Sequence, residues 1–112
     1  MDLPDVIAHC LSKPGAEETT PFGPDVLVYK VAGKMFALTS PDDFPSTVNL
    51  KCDPERSIEL RDEYPAITPG YHMNKKHWVS IDLPSAGAPL DELIRDSYEL
   101  VVATLPRDRR PK

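Results

Sequence analysis

The feature that most constrains this chain is a pair of β-rich runs meeting at a short corner. Between Asp25 and Thr39 the branched and aromatic residues Val26, Val28, Tyr29, Val31 and Phe36 flank Ala32-Gly33, and β-formers on both sides of a two-residue, glycine-containing connection read as a hairpin. With Ala32-Gly33 as the loop, Val31 pairs with Lys34, Tyr29 with Phe36 and Leu27 with Leu38. Leu27, Tyr29, Val31, Phe36 and Leu38 then share one face, taken as the core side, while Val28, Lys30, Met35 and Ala37 line the other. An isolated hairpin is marginal in water, so the rest of the chain has to cover that face.

The flanking segments supply the cover. Leu3, Val6, Ile7, Cys10 and Leu11 recur at helical spacing, with Asp2 as cap, Pro4 in the first turn and Pro14-Gly15 as the stop. Residues 16–20 read as a short extended piece closed by Pro21-Phe-Gly-Pro24, and Thr47 to Cys52 alternates as a further strand. Asp53-Pro54 caps a charged helix running to about Glu63, which Tyr64-Pro65 ends. Ile67 to Leu83 reads as a second long hairpin turning at Asn74-Lys75. Pro89 to Leu105 carries Leu90, Leu93, Ile94, Tyr98, Val101, Val102 and Leu105 on one broad face, with Ser97 as a point of restart or kink. The order α-β-β-β-β-α-β-β-α implies an α+β domain, an antiparallel sheet built from β-hairpins with helices packed on one face.

At 112 residues and 12.5 kDa the chain has the size of one domain, assigned to residues 1–106 with a frayed basic tail at 107–112. Thirteen prolines are scattered and punctuate short elements rather than forming a polyproline run. Cys10 and Cys52 lack the spacing of a disulfide framework or a zinc site. The absence of a spanning stretch or a leader pattern makes a cytoplasmic location the expectation. Neither a GxSxG elbow, a phosphate-cradling glycine loop nor an HExxH helix is present, so no enzymatic activity and no cofactor are expected.

The runs Pro21-Phe-Gly-Pro24, Lys30-Val-Ala-Gly-Lys-Met-Phe36, Thr68-Pro-Gly-Tyr-His-Met-Asn-Lys-Lys-His-Trp78 and Ser97-Tyr98 resemble the MmcQ/YjbR family of small bacterial proteins, in the family's order and across nearly the whole chain. That resemblance implies a CyaY-like fold in which two hairpins form a double-wing, DNA-binding-like arrangement.

Charge distribution tests the nucleic-acid idea separately. The net charge is −5, which repels polyanions at long range. Residues 26–40 nevertheless hold Lys30 and Lys34 without an acid, residues 66–81 hold Lys75 and Lys76 without an acid, and the tail adds four basic residues against Asp108. Cations on wing tips are where phosphate contacts form, although tip lysines also serve to discourage edge pairing. The expected interface is therefore Lys30, Lys34, Lys75 and Lys76 on phosphates with Asn74 at the tip, giving weak and salt-sensitive DNA binding without arginine readout of guanine.

The alternative is a small-ligand or protein-interaction module built on Tyr71, His72, His77 and Trp78. A two-residue loop sets Tyr71 opposite Trp78 and His72 opposite His77, with the histidine side facing the helices and Trp78 open to stack on a planar ligand or to pack the sheet. A three-residue loop would shift that pairing. The facing histidines lack further ligands of suitable spacing, so no metal site is expected.

Overall fold

A computed structural model describes residues 1–43, 46–70, 76–83 and 87–111. Asp2 and Asp5 exchange side-chain and backbone hydrogen bonds in a capping box that opens α1 (Leu3–Leu11), satisfying two of the amides that a helix start leaves unpaired. Val6 and Cys10 are buried on its inner face, whereas Leu11, expected on the same stripe, is 46% exposed. The chain continues through β1 (Ala16–Thr19), β2 (Leu27–Val31), β3 (Lys34–Thr39), β4 (Thr47–Lys51), α2 (Pro54–Glu63), β5 (Ile67–Pro69), β6 (Trp78–Asp82) and α3 (Leu90–Val102) to a 3-10 turn at Arg107–Arg109. This is the α+β order read from the sequence. The six strands form one antiparallel sheet in the order β1-β2-β3-β4-β6-β5. α3 packs on β2, β3 and β4, α2 on β5, and α1 on β1 and α3. Among the described residues no helix is long and apolar enough to cross a membrane.

The Ala32-Gly33 corner forms as expected: Val31 pairs with Lys34, and both corner residues take positive φ, 49° and 80°, the left-handed conformation that matches a two-residue turn to strand twist. Beyond it the expected register fails. Lys30 pairs with Met35 but Tyr29 pairs with Ala37, which leaves Phe36 as the extra residue of a β-bulge. The bulge places Ala37 in the core and turns Leu38 to the other face. Phe36 is fully buried and meets Tyr98 of α3 edge-to-face at 5.4 Å. Ser97 Oγ donates to the Phe36 carbonyl, displaced from the ladder, at 2.5 Å, and itself accepts from the Lys51 amide at 2.8 Å. Ser97 is therefore a buried bridge between α3, β3 and β4, and the helix runs through it unbroken.

The core face of the sheet carries Ala37, Leu50 and Val79 in one cross-strand row and Thr39, Val48, Ile81 and Ile67 in the next. The opposite face carries Leu38, Asn49, Ser80 and Thr68 in register. The described part of the basic tail, expected to be frayed, is held by hydrogen bonds. Arg109 Nη2 donates to the Ala32 carbonyl at 2.9 Å and Arg110 to the Leu105 and Ala103 carbonyls, which clips the 3-10 turn onto the first hairpin.

Candidate functional site

Strand pairing brings the Ala32-Gly33 corner and the start of β6 to the same end of the sheet. Ala37 lies opposite Leu50, and Lys51 opposite Trp78, so the start of β3, the end of β4 and the start of β6 share that end. Only β4 separates β3 from β6, a gap of about 10 Å at ordinary strand spacing. Lys34 is exposed there and its Nζ lies 3.4 Å from Thr104 Oγ1. Half-buried Lys51 lies between the hairpins, and Lys76 and His77 are exposed on the second. Arg109, held at the Ala32 carbonyl, adds a cation from the tail.

Lys30 does not join this group. It stands opposite Glu17 of β1 and opposite Met35, whereas Lys34 is the partner of core-facing Val31, so the two lysines leave opposite faces of one hairpin. The register also sets the acidic residue Glu17 directly across from Lys30.

The second hairpin is shorter than expected and shifted by one residue. Pro69 faces Val79, and the Gly70 amide donates to the Trp78 carbonyl at 2.9 Å; an even two-residue loop would have set Gly70 opposite Val79. The odd connection slides β5 by one residue against β6 and leaves the faces of β6 as expected, with Val79 and Ile81 in the core. His77 is exposed in a turn, not turned toward the helices, while Trp78 is half-buried on the alternation that includes Ser80. A Cβ at Gly70 would stand 2.9 Å from Trp78 Cβ, so only glycine lets β5 close against Trp78. Tyr71, His72, Asn74 and Lys75 lie outside the described residues.

Helices α2 and α3 meet beside the end of β4. Arg56 forms an ion pair with Asp96 and another with Glu92 at 3.4 Å, and Arg95 joins Asp96 at 3.2 Å. Burial works against the Arg56 charge, but the Asp96 hydrogen bond and the two carboxylates outweigh it and raise the guanidinium above its ordinary range. A cavity of about 350 Å³ is lined by Arg56 and Asp96 of this network together with Cys52 and the apolar Leu50, Val79 and Leu93. Burial pushes the Cys52 thiol up, against the Arg56 charge, and pushes Cys10 to about 12. Such thiols stay protonated and are poor nucleophiles.

Sequence reading missed Lys51 as a member of the cationic end and counted the charge of the tail without placing Arg109. Lys51 closes an alternating strand and carries no local signal; strand order brings it in, and the docked tail brings in Arg109.

The model of the YjbR family matches residues 11–100. The uncharacterized protein YbdF of Escherichia coli O157:H7 is 45% identical over 100 residues, covering 87% of this chain and 81% of that protein. The uncharacterized protein YjbR of Escherichia coli K12 is 29% identical over 112 residues, covering 98% and 95%. Among solved structures, a Deinococcus radiodurans protein of the DUF419 domain superposes with a TM-score of 0.88 at 40% identity, covering 97% of this chain and 85% of that one. A Pseudomonas syringae protein follows with a TM-score of 0.75 at 28% identity, covering 89% and 98%. With its helix-backed sheet, its Gly70–Trp78 closure and a family match over most of its length, the chain belongs to the YjbR family.

Proposed function

We propose that this protein is a non-enzymatic, DNA-binding-like module that lays one end of its sheet on a phosphate backbone. The observation that carries the reading is the convergence of Lys34, Lys51, Lys76 and Arg109 on that end. These cations come from four separate segments of a chain whose net charge is −5. Phosphate contacts of this kind give affinity without sequence preference. With few contacts and an acidic remainder, binding is weak and falls steeply with salt.

Fluorescence anisotropy with a labelled duplex, from low to physiological salt, tests this directly. Each phosphate contact adds about 0.9 to the slope of log affinity against log salt. The double variant Lys34→Gln plus Lys51→Gln is expected to lower that slope by roughly 2, while the arginine replacements preserve it. No binding at low salt, or an unchanged slope in the double variant, ends the proposal.

A small-ligand role is the second reading. It is favoured by the 350 Å³ cavity between β4, β6 and α3, whose wall lacks the expected Trp78 and His77. That reading requires thermal stabilisation by small apolar compounds.

A further inference from the structure

Helix α2 presents Pro54, Ser57, Ile58 and Arg61 at i, i+3, i+4 and i+7, one stripe along a ten-residue helix. The stripe forms one wall of a groove of about 240 Å³, and Pro69 and Lys76 of the second hairpin form the other. Among the described residues the lining contains two cationic residues and no carboxylate; Glu55, Glu59 and Asp62 of α2 do not take part in it. Ser57 is only 1% exposed, and its Oγ is the one buried side-chain polar atom without a hydrogen-bond partner among the described residues. Buried hydroxyls are nearly always paired, so an orphan in the lining of a groove is a donor available to an acceptor seated there. Arg61 Nε donates to the Ser57 carbonyl at 3.2 Å. That bond ties the guanidinium root to the helix and leaves its terminal N–H groups for another acceptor.

We infer that this groove seats a single phosphate group, with Arg61 and Lys76 supplying the charge and Ser57 Oγ donating a hydrogen bond. Three donors from two walls suit a tetrahedral oxyanion with several acceptor oxygens better than a planar carboxylate, which the fork of one arginine would satisfy alone. Pro54, Ile58 and Pro69 narrow the groove with apolar surface, which strengthens charge-assisted hydrogen bonds by excluding water. The inference deepens the polyanion reading and rests on it for the source of the phosphate, which is either a nucleic-acid backbone or a small phosphorylated molecule.

The test uses the full chain in two arms. In the first, inorganic phosphate is titrated while backbone amide resonances are followed. Saturable shifts at Ser57, Ile58 and Arg61 are expected, with affinity lowered roughly tenfold by Ser57→Ala and by Arg61→Gln, each variant keeping the native spectrum elsewhere. Shifts that never saturate, or that survive both substitutions, mean an adventitious ion only and overturn the inference. In the second arm the same variants meet the labelled duplex. Loss of duplex affinity in Arg61→Gln and Lys76→Gln identifies the backbone as the source, whereas unchanged duplex binding with weakened phosphate binding identifies a small phosphorylated molecule; both support the seat. Duplex binding that depends on Lys34 and Lys51, with no saturable phosphate site at Ser57, leaves the polyanion reading intact and refutes this one. Saturable phosphate binding without duplex binding at any salt does the reverse.

Discussion

Ser97→Ala removes one hydroxyl that serves two backbone groups. Ser97 is fully buried; its Oγ donates to the Phe36 carbonyl at 2.5 Å and accepts from the Lys51 amide at 2.8 Å. Each strands differently when the hydroxyl goes. The Phe36 carbonyl belongs to a bulge and finds no ladder partner, so leaving it buried costs about 1–3 kcal/mol. The Lys51 amide sits at a strand end in a half-buried residue where water can reach it, a loss of about 0.5–1.5 kcal/mol. Alanine returns up to about 0.5 kcal/mol through its better helix propensity. The net expectation is a destabilisation of about 1–4 kcal/mol, a large share of a total of about 5–15 for a domain. Urea unfolding followed by the emission of Trp78, the only tryptophan, reads this as a lower midpoint with an unchanged m-value. Amide exchange at Lys51 should accelerate more than exchange at the centre of β4. A loss below about 1 kcal/mol would show that the bridge is not what fastens α3 to the two strands.

Alkaline pH is expected to weaken the fold through Cys10. Burial pushes its thiol to about 12 from 9.0, with Lys13 acting in the opposite direction. Between those values the native state keeps a proton that the unfolded chain releases, so stability is intact below about pH 9 and declines as pH rises toward 12, at up to about 1.4 kcal/mol per unit. Cys10→Ala should flatten that decline and leave the part due to Cys52, whose thiol burial also raises; the effect is read best below pH 10, before Tyr29 contributes through a hydroxyl raised by burial and then by its hydrogen bond to Glu18. Equal slopes in the two proteins would contradict the assignment. At the first hairpin corner Ala32 holds φ at 49°, a conformation that asparagine tolerates better. Ala32→Asn should therefore raise stability by about 0.5–1 kcal/mol in thermal melts; no gain would mean that the corner carries no strain.

Local chemistry accounts for what was legible in the residues. Aspartates followed by prolines marked the starts of α1 and α2, and Ala32-Gly33 marked the turn of the first hairpin. These signals act over three or four neighbours, so they survive without tertiary information. Faces were less legible. The insertion of Phe36 moved Ala37 inward and Leu38 outward, and a one-residue change in the second connection set Pro69 rather than Gly70 opposite Val79. A side-chain period of two makes the first slip invert the strand beyond it, and no residue type announces either.

By itself, then, the sequence determined the succession of helices and strands, the corner at Ala32-Gly33 and the separation of basic hairpins from acidic helices. Tertiary structure alone decided which cations meet. Lys51 and Arg109 reach the end of the sheet that holds Lys34 and Lys76 only through strand order and the docking of the tail, and Glu17 comes to face Lys30 only through the pairing of β1 with β2. The groove below Ser57 likewise exists only because α2 lies beside the second hairpin. Element formation is set by a few adjacent residues, whereas proximity between segments tens of residues apart depends on how the burial of one shared core orients all of them together.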